Sequence, residues 1–124
     1  MTVLIDTSVW IRWFADVGPL ADELDRLLDA DLAAGHELVY GELLIGDRGG
    51  RRKFLATYQE LHQAPTVAHE EVVTFVEARR LHGGGISWID AHLLASALIS
   101  RMKLWTADAS LGAAAKILGL AYQA

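Results

Sequence analysis

Val3-Leu4-Ile5-Asp6-Thr7-Ser8-Val9-Trp10 places one ionisable side chain between two apolar runs. Three consecutive aliphatic residues read as a short strand buried on both faces. Ser8 to Phe14 reads as the helix that follows it. Asp6 therefore stands at the end of a buried strand, where an ionised carboxylate is costly unless something pairs with it. Three more carboxylates share this setting. Glu42 lies in Val39-Tyr40-Gly41-Glu42-Leu43-Leu44-Ile45, Asp90 in Ser87-Trp88-Ile89-Asp90-Ala91-His92-Leu93-Leu94, and Asp108 in Leu104-Trp105-Thr106-Ala107-Asp108. Binding of a divalent metal explains all four at once.

Working outward, Gly18-Pro19 breaks the chain, with Pro19 suited to a first helical turn. Leu20, Leu24, Leu27, Leu28 and Leu32 recur at helical spacing, and Gly35 closes that helix. Leu38 and Val39 read as a second strand, and Glu42 to Ile45 as the start of another helix ending near Asp47-Arg48-Gly49-Gly50. Phe54, Tyr58 and Leu61 mark an amphipathic helix, Pro65-Thr66-Val67 an extended segment, and Glu70 to Leu81 a further helix. After Gly83-Gly84-Gly85, Ser87 to Ser100 is almost wholly apolar and is expected to be the most buried helix. Lys103 to Thr106 reads as a strand, Ser110 to Leu118 as a helix and Leu120-Ala121-Tyr122 as a last strand. Strands alternating with helices imply an α/β fold with a parallel sheet covered on both faces. Ligands in such sheets bind at the carboxyl ends of the strands. Asp6 and Asp108 each follow a strand, so the two are expected at one edge.

The chain has 124 residues, 52% of them hydrophobic, which suits one domain, 1–124, with a sizeable core. Cysteine is absent, which excludes disulfides and thiolate zinc sites. No secretory leader and no membrane span are expected, and the plain expectation is a soluble cytoplasmic domain. The net charge of −5 argues against a generally basic nucleic-acid surface. It leaves room for a nucleic-acid enzyme, because a metal held by carboxylates supplies the positive charge that phosphate needs.

Each embedded carboxylate also has a plain structural role open to it. Asp6 and Asp108 suit N-caps, Ser87-x-x-Asp90 resembles a capping box, and Glu42 at a helix start would favour the macrodipole. Taken singly, a cap is the commoner role. Taken together, four caps need neither apolar flanks on both sides nor one shared sheet edge. Mg²⁺ and Mn²⁺ take hard oxygen ligands, and Mg²⁺ keeps several waters while binding few carboxylates. More carboxylates than one ion needs allow a second ion or a positioned water, an arrangement suited to in-line attack on a phosphodiester. Ser8 and Thr106 put hydroxyls beside the cluster, either as support for it or as local backbone partners.

These motifs together resemble the PIN-domain endoribonucleases of the VapC toxin type. The resemblance rests on Leu4-Ile5-Asp6-Thr7-Ser8-Val9-Trp10, Gly41-Glu42-Leu43, Ser87 to Ala97 and Leu104-Trp105-Thr106-Ala107-Asp108, and spans essentially the whole chain. It implies a PIN-like α/β/α sandwich with a short central parallel sheet flanked by helices. It further implies a Mg²⁺- or Mn²⁺-dependent endoribonuclease that leaves a 5′-phosphate and a 3′-hydroxyl. The implied partners are an RNA substrate, a cognate VapB-type antitoxin and a second copy in a homodimer. Asp6, Glu42, Asp90 and Asp108 fall on the family's acidic positions. Asp6 is then the expected central metal ligand, completed by Asp90 and Asp108 directly or through water. Glu42 is expected to hold a second ion or orient the attacking water. Ser110 stands where some relatives place another polar or acidic group.

Two alternatives remain from the residues themselves. One is a haloacid-dehalogenase-like phosphatase, which expects Asp-x-Asp where this chain has Asp6-Thr7-Ser8. The other is a non-catalytic protein-binding α/β domain. Arg48, Arg51, Arg52 and Lys53 form a basic cluster, read either as RNA phosphate contacts or as a solvated loop. His36, His62, His69, His82 and His92 lack zinc-ligand spacing. His92 is expected to point away from Asp90, and the other histidines to lie on the surface. Trp10 and Phe14 share a helical face directed at the core. Trp13 is the candidate contact for a partner helix, with core burial as the other reading.

Overall fold

Val3–Ile5 forms strand β1, and all three residues are buried. Successive side chains on a strand point to opposite faces, so both faces of the sheet are covered there. The structure, a computed structural model, describes residues 1–16 and 18–124. After β1 come α1 (Thr7–Phe14), α2 (Gly18–Asp29), β2 (Ala33–Gly35), α3 (Glu37–Ile45) and α4 (Arg52–Tyr58). Then follow β3 (His62–Gln63), α5 (His69–Arg79), α6 (Trp88–Ser100), β4 (Lys103–Trp105) and α7 (Ala109–Ile117). The strands form one sheet in the order β3-β2-β1-β4. Every pairing is parallel, with Val3 opposite Ala33 and Lys103, and Ile5 opposite Trp105. This is the expected α/β architecture. Parallel pairing makes β1 and β4 end at the same edge.

Three expectations about the strands need correction. The second strand is Ala33–Gly35, not Leu38-Val39. Ala-Ala-Gly carries little strand propensity, but at Gly35 there is no room for a side chain: a Cβ there would lie 2.6 Å from the Gln63 amide nitrogen and 2.9 Å from the Tyr58 ring. Leu38 and Val39 belong instead to α3, which His36 starts with its own side chain. The edge strand is His62–Gln63, with Pro65-Thr66-Val67 beyond it. Proline has no N–H for the ladder, and the pairing ends with Ala64 N–H donating to Gly35 O at 2.7 Å. Leu120 to Tyr122 makes a single parallel bridge, Ala121 to Leu104, rather than a strand.

The main core runs from β1 through Val9 and Trp10 of α1, Leu24 and Leu27 of α2, and Leu93 and Leu94 of α6. Helix α6 buries six residues, Ala91 and Leu93 through Ala97, as its apolar sequence requires. A second cluster joins Val67, Val72, Ala91 and Ala95. Trp10 is fully buried and sits in an aromatic group with Trp13, Phe54 and Tyr58, at centroid distances of 5.5, 5.3 and 5.6 Å. Trp13 is half-buried, and its Nε1 donates to Asp25 Oδ1 at 2.9 Å. Its ring is thus largely committed to joining α1 to α2 and α4, which leaves less of it open to a partner than expected.

Candidate active site

β1 and β4 deliver their next residues side by side. The Asp6 N–H donates to Trp105 O at 2.9 Å, so Asp6 stands beside Thr106 at the carboxyl edge. Asp6 is 5% exposed. It takes the N-cap position of α1, yet its side chain caps nothing. Its Oδ2 instead accepts from Ser8 Oγ and from Thr106 Oγ1, both at 2.7 Å. Each hydroxyl has one proton, so the 3.2 Å approach of Ser8 Oγ to Thr106 Oγ1 is close packing around the shared acceptor. The hydroxyls are aimed in turn by the backbone. Ala107 N–H donates to Ser8 Oγ at 2.9 Å, and Asp108 N–H to Thr106 Oγ1 at 3.0 Å. Ser8 and Thr106 thus support Asp6.

The other three carboxylates are placed differently. Asp108 is exposed and N-caps α7, its Oδ2 accepting from Leu111 N–H at 2.8 Å. Asp90 is half-buried in the first turn of α6 and closes a capping box with Ser87. There Ser87 N–H donates to Asp90 Oδ2 and Asp90 N–H to Ser87 Oγ, each at 3.0 Å. Glu42 does not begin a helix. It is the sixth residue of α3, too far in to gain much from the macrodipole, and its Oε1 accepts from Thr7 Oγ1 at 2.6 Å. The plain cap reading holds for Asp90 and Asp108 and fails for Asp6 and Glu42.

Electrostatics ties Asp90 to its neighbours. Desolvation pushes the Asp90 carboxyl above its ordinary value, the bonds from Ser87 oppose this, and the negative charges of Asp6 and Asp108 add to the rise. Asp90 therefore lies within electrostatic reach of both Asp6 and Asp108. Among the described residues, no three acidic or histidine side chains are already gathered as a metal-holding group. The donor chemistry nevertheless fits a hard cation. The hydrogen bonds above engage one oxygen of each carboxylate: Oδ2 of Asp6, Asp90 and Asp108, and Oε1 of Glu42. Each group can offer its second oxygen without giving up the bond that holds it.

His36 corrects the expectation that histidines other than His92 lie on the surface. It is fully buried. Its Nδ1 accepts from Leu38 N–H at 3.0 Å, so Nε2 carries the proton toward Ser96 Oγ, 3.0 Å away. Burial, and to a lesser degree the nearby His92, lowers its pKa to about 4. His92 does turn from Asp90, its ring standing edge-on to Trp88 at 5.3 Å. A cavity of about 380 Å³ beside α3 and α4 is lined by Tyr40, Leu44, Asp47, Arg52, Leu55, Ala56 and Gln59, and by none of the four carboxylates. At the acidic edge Asp6 is buried, Glu42 and Asp90 are half-buried and Asp108 is exposed. Of its residues, Thr7 was not legible beforehand, since no local pattern signals a bond across 35 positions.

Comparison with known proteins assigns the chain to a family. The model of the PIN domain family matches residues 3–117. The chain is 41% identical over 120 residues to Ribonuclease VapC32 of Mycobacterium tuberculosis, in both strain CDC 1551 / Oshkosh and strain ATCC 25618 / H37Rv. These alignments cover 96% of this chain and 94% of each relative. The crystal structure of PAE2754 from Pyrobaculum aerophilum shares the fold at 20% identity, with a TM-score of 0.59 over 91% of this chain and 84% of that one. With the family model spanning most of the chain and a full-length relative at this identity, the chain belongs to the PIN-domain family, as a member of its VapC type.

Proposed function

We propose that this protein is an endoribonuclease, the toxin of a toxin–antitoxin pair, and that its acidic edge hydrolyses RNA phosphodiesters with Mg²⁺ or Mn²⁺. The kinship with Ribonuclease VapC32 supports RNA as substrate. One structural observation carries the site: a buried aspartate at a strand end, held by two hydroxyls through one oxygen and capping nothing. A cap explains Asp90 and Asp108 but not Asp6.

The roles follow from how each group is held. Asp6 would be the central ligand, because its backbone is tied to β4 and its Oδ2 is held by two hydroxyls. Asp90 and Asp108 would complete the ion's surroundings directly or through water, each anchored by its own helix start. Glu42 would approach from α3 and orient the attacking water or hold a second ion. A bound Mg²⁺ or Mn²⁺ supplies the positive charge that neutralises the phosphate and favours deprotonation of water. Ser8 and Thr106 keep Asp6 from rotating. Cleavage leaves a 5′-phosphate and a 3′-hydroxyl.

Neither alternative is favoured by the family assignment. The phosphatase reading also meets a local obstacle: Ser8, at the second acidic position of Asp-x-Asp, donates to Asp6 instead of offering an acid. The protein works as one unit over residues 1–124, in the cytoplasm, and pairs as a homodimer. No helix among the described residues is long and apolar enough to cross a membrane. A VapB-type antitoxin covers the edge, with a cation placed among the carboxylates. Trp13, on helix α1, is the proposed contact for an antitoxin helix. The experiment is cleavage of an RNA oligonucleotide with Mg²⁺, with Mn²⁺ and with EDTA, followed by sequencing of the ends. Full cleavage in excess EDTA overturns the metal mechanism, and intact RNA in both metals overturns the activity.

A further inference from the structure

Among the four carboxylates, Glu42 has the hardest positioning problem. Asp90 and Asp108 are tied to their own helix starts, and Asp6 by two hydroxyls. Glu42 carries a longer side chain, in the body of α3, with no backbone donor among the described residues to hold it. An unheld glutamate on a half-exposed face samples many rotamers, most of them directed to solvent. One bond restricts it, the 2.6 Å donation from Thr7 Oγ1 to Glu42 Oε1. This is short, as expected for a hydroxyl donating to an ionised acceptor.

The donor's position adds to its meaning. Thr7 opens α1 and lies between Asp6 and Ser8. Three successive residues then serve one edge. Asp6 presents a carboxylate, Ser8 holds that carboxylate, and Thr7 reaches across to the carboxylate from α3. We propose that Thr7 is a positioning residue: it locks Glu42 by Oε1 and so presents Oε2 to the reacting region. This rests on the reading of Glu42 as part of the site. Because Thr7 and Asp6 are adjacent on the chain, this bond links Glu42 to Asp6 through a short path where α1 packs on α3.

A purely structural tie between α1 and α3 would change stability alone. The test therefore reads metal binding as well as catalysis. Thr7→Val, Thr7→Ser, Glu42→Gln and the double variant Thr7→Val/Glu42→Gln are compared by Mn²⁺ calorimetric titration, thermal melting and cleavage of an RNA oligonucleotide. Thr7→Val is expected to lower kcat by about tenfold to a hundredfold, the factor carried by a hydrogen bond to a charged acceptor. Its KM for RNA should be unchanged and its Mn²⁺ affinity weakened. Thr7→Ser should restore both, and the double variant should be no slower than Glu42→Gln alone. Should Thr7→Val not fold, Thr7→Ala takes its place. Wild-type kcat and Mn²⁺ affinity in the hydroxyl-less variant overturn the proposal, as does a double variant whose losses add. Wild-type activity in Glu42→Gln overturns the underlying reading of Glu42 instead, which separates the two failures.

Discussion

Replacing Asp6 by Asn removes a charge while nearly preserving shape. In the native site, Oδ2 of Asp6 accepts two hydroxyl protons at 2.7 Å. A bond to a charged acceptor contributes about 1 kcal/mol more than one to a neutral acceptor, so two weakened bonds cost about 2 kcal/mol. Against this stands relief of repulsion, since the Asp6 charge helps to raise the pKa of Asp90. The net cost at pH 7 should be about 1–2 kcal/mol, a drop in Tm of about 4–8 °C for a chain of this size. The pH dependence has a definite sign. A carboxyl with a raised folded pKa contributes stability below its unfolded pKa and loses it as pH rises through the folded one. Wild type thus loses stability as Asp90 ionises, and the variant should lose less over the same window, because one of the charges opposing ionisation is gone. Desolvation, the largest cause of the rise, remains, so the loss shrinks without vanishing. Thermal melting of metal-free protein from pH 4 to 8 gives the stability difference, and cleavage of a fluorescent RNA gives the activity. Cleavage should fall by about a hundredfold or more, beyond the cost typical of residues that merely support a metal ligand. Wild-type cleavage, failure to fold, or a stability gap that widens as pH rises through the Asp90 transition would each refute the reasoning.

Saturation with Mg²⁺ or Mn²⁺ at about a hundred times the dissociation constant should add about 2.7 kcal/mol of stability, visible as a rise in Tm of about 10 °C that EDTA reverses; no shift would argue against a native-state site. His36 is neutral when folded, with a pKa near 4 against an ordinary 6.5, so its contribution is complete above about pH 6.5 and is lost as pH falls toward 4. His36→Asn retains a capping side chain, so between pH 6.5 and 4 its stability should fall less steeply than that of wild type in parallel chemical denaturation. Trp13→Ala removes ring contacts with Trp10, Phe14 and Phe54 and should cost about 2 kcal/mol, while Trp13→Phe costs less. If the exposed part of Trp13 also meets the antitoxin, Trp13→Ala weakens antitoxin binding more than it weakens cleavage by the free enzyme, and unchanged antitoxin affinity removes it from that interface.

Legibility in the sequence followed how far each signal reaches along the chain. β1, α6 and β4 are runs of apolar residues bounded by polar ones, and each appears where the run lies. β2 carries no such pattern, because Ala33-Ala34-Gly35 has only small side chains, and at Gly35 any Cβ would meet the Tyr58 ring and the Gln63 amide. Leu38 and Val39 looked like a strand because histidine is not an expected N-cap. Only the burial of His36 under Tyr58 and Ser96 shows that its ring starts α3.

The site divides along the same line. A charge set in an apolar run is a local anomaly, which is why Asp6, Glu42, Asp90 and Asp108 stand out unaided. What holds each charge is a different matter. Asp90 and Asp108 are held by residues three positions away, a spacing that sequence motifs encode. Glu42 is held by a hydroxyl from another element, Thr7 from 35 positions away, and Asp6 by the nearby Ser8 together with Thr106 from 100 positions away. Those contacts exist only once β4 has paired with β1 and α3 has packed on α1. The two carboxylates with local holders are also the two that a cap explains fully. Neither Asp6 nor Glu42 caps a helix, and an asparagine and a glutamine would accept the same hydroxyl bonds, more weakly but with less desolvation cost. Their charge is therefore best understood as serving a ligand, and Asp6, the more deeply buried of the two, as the point on which that ligand is centred.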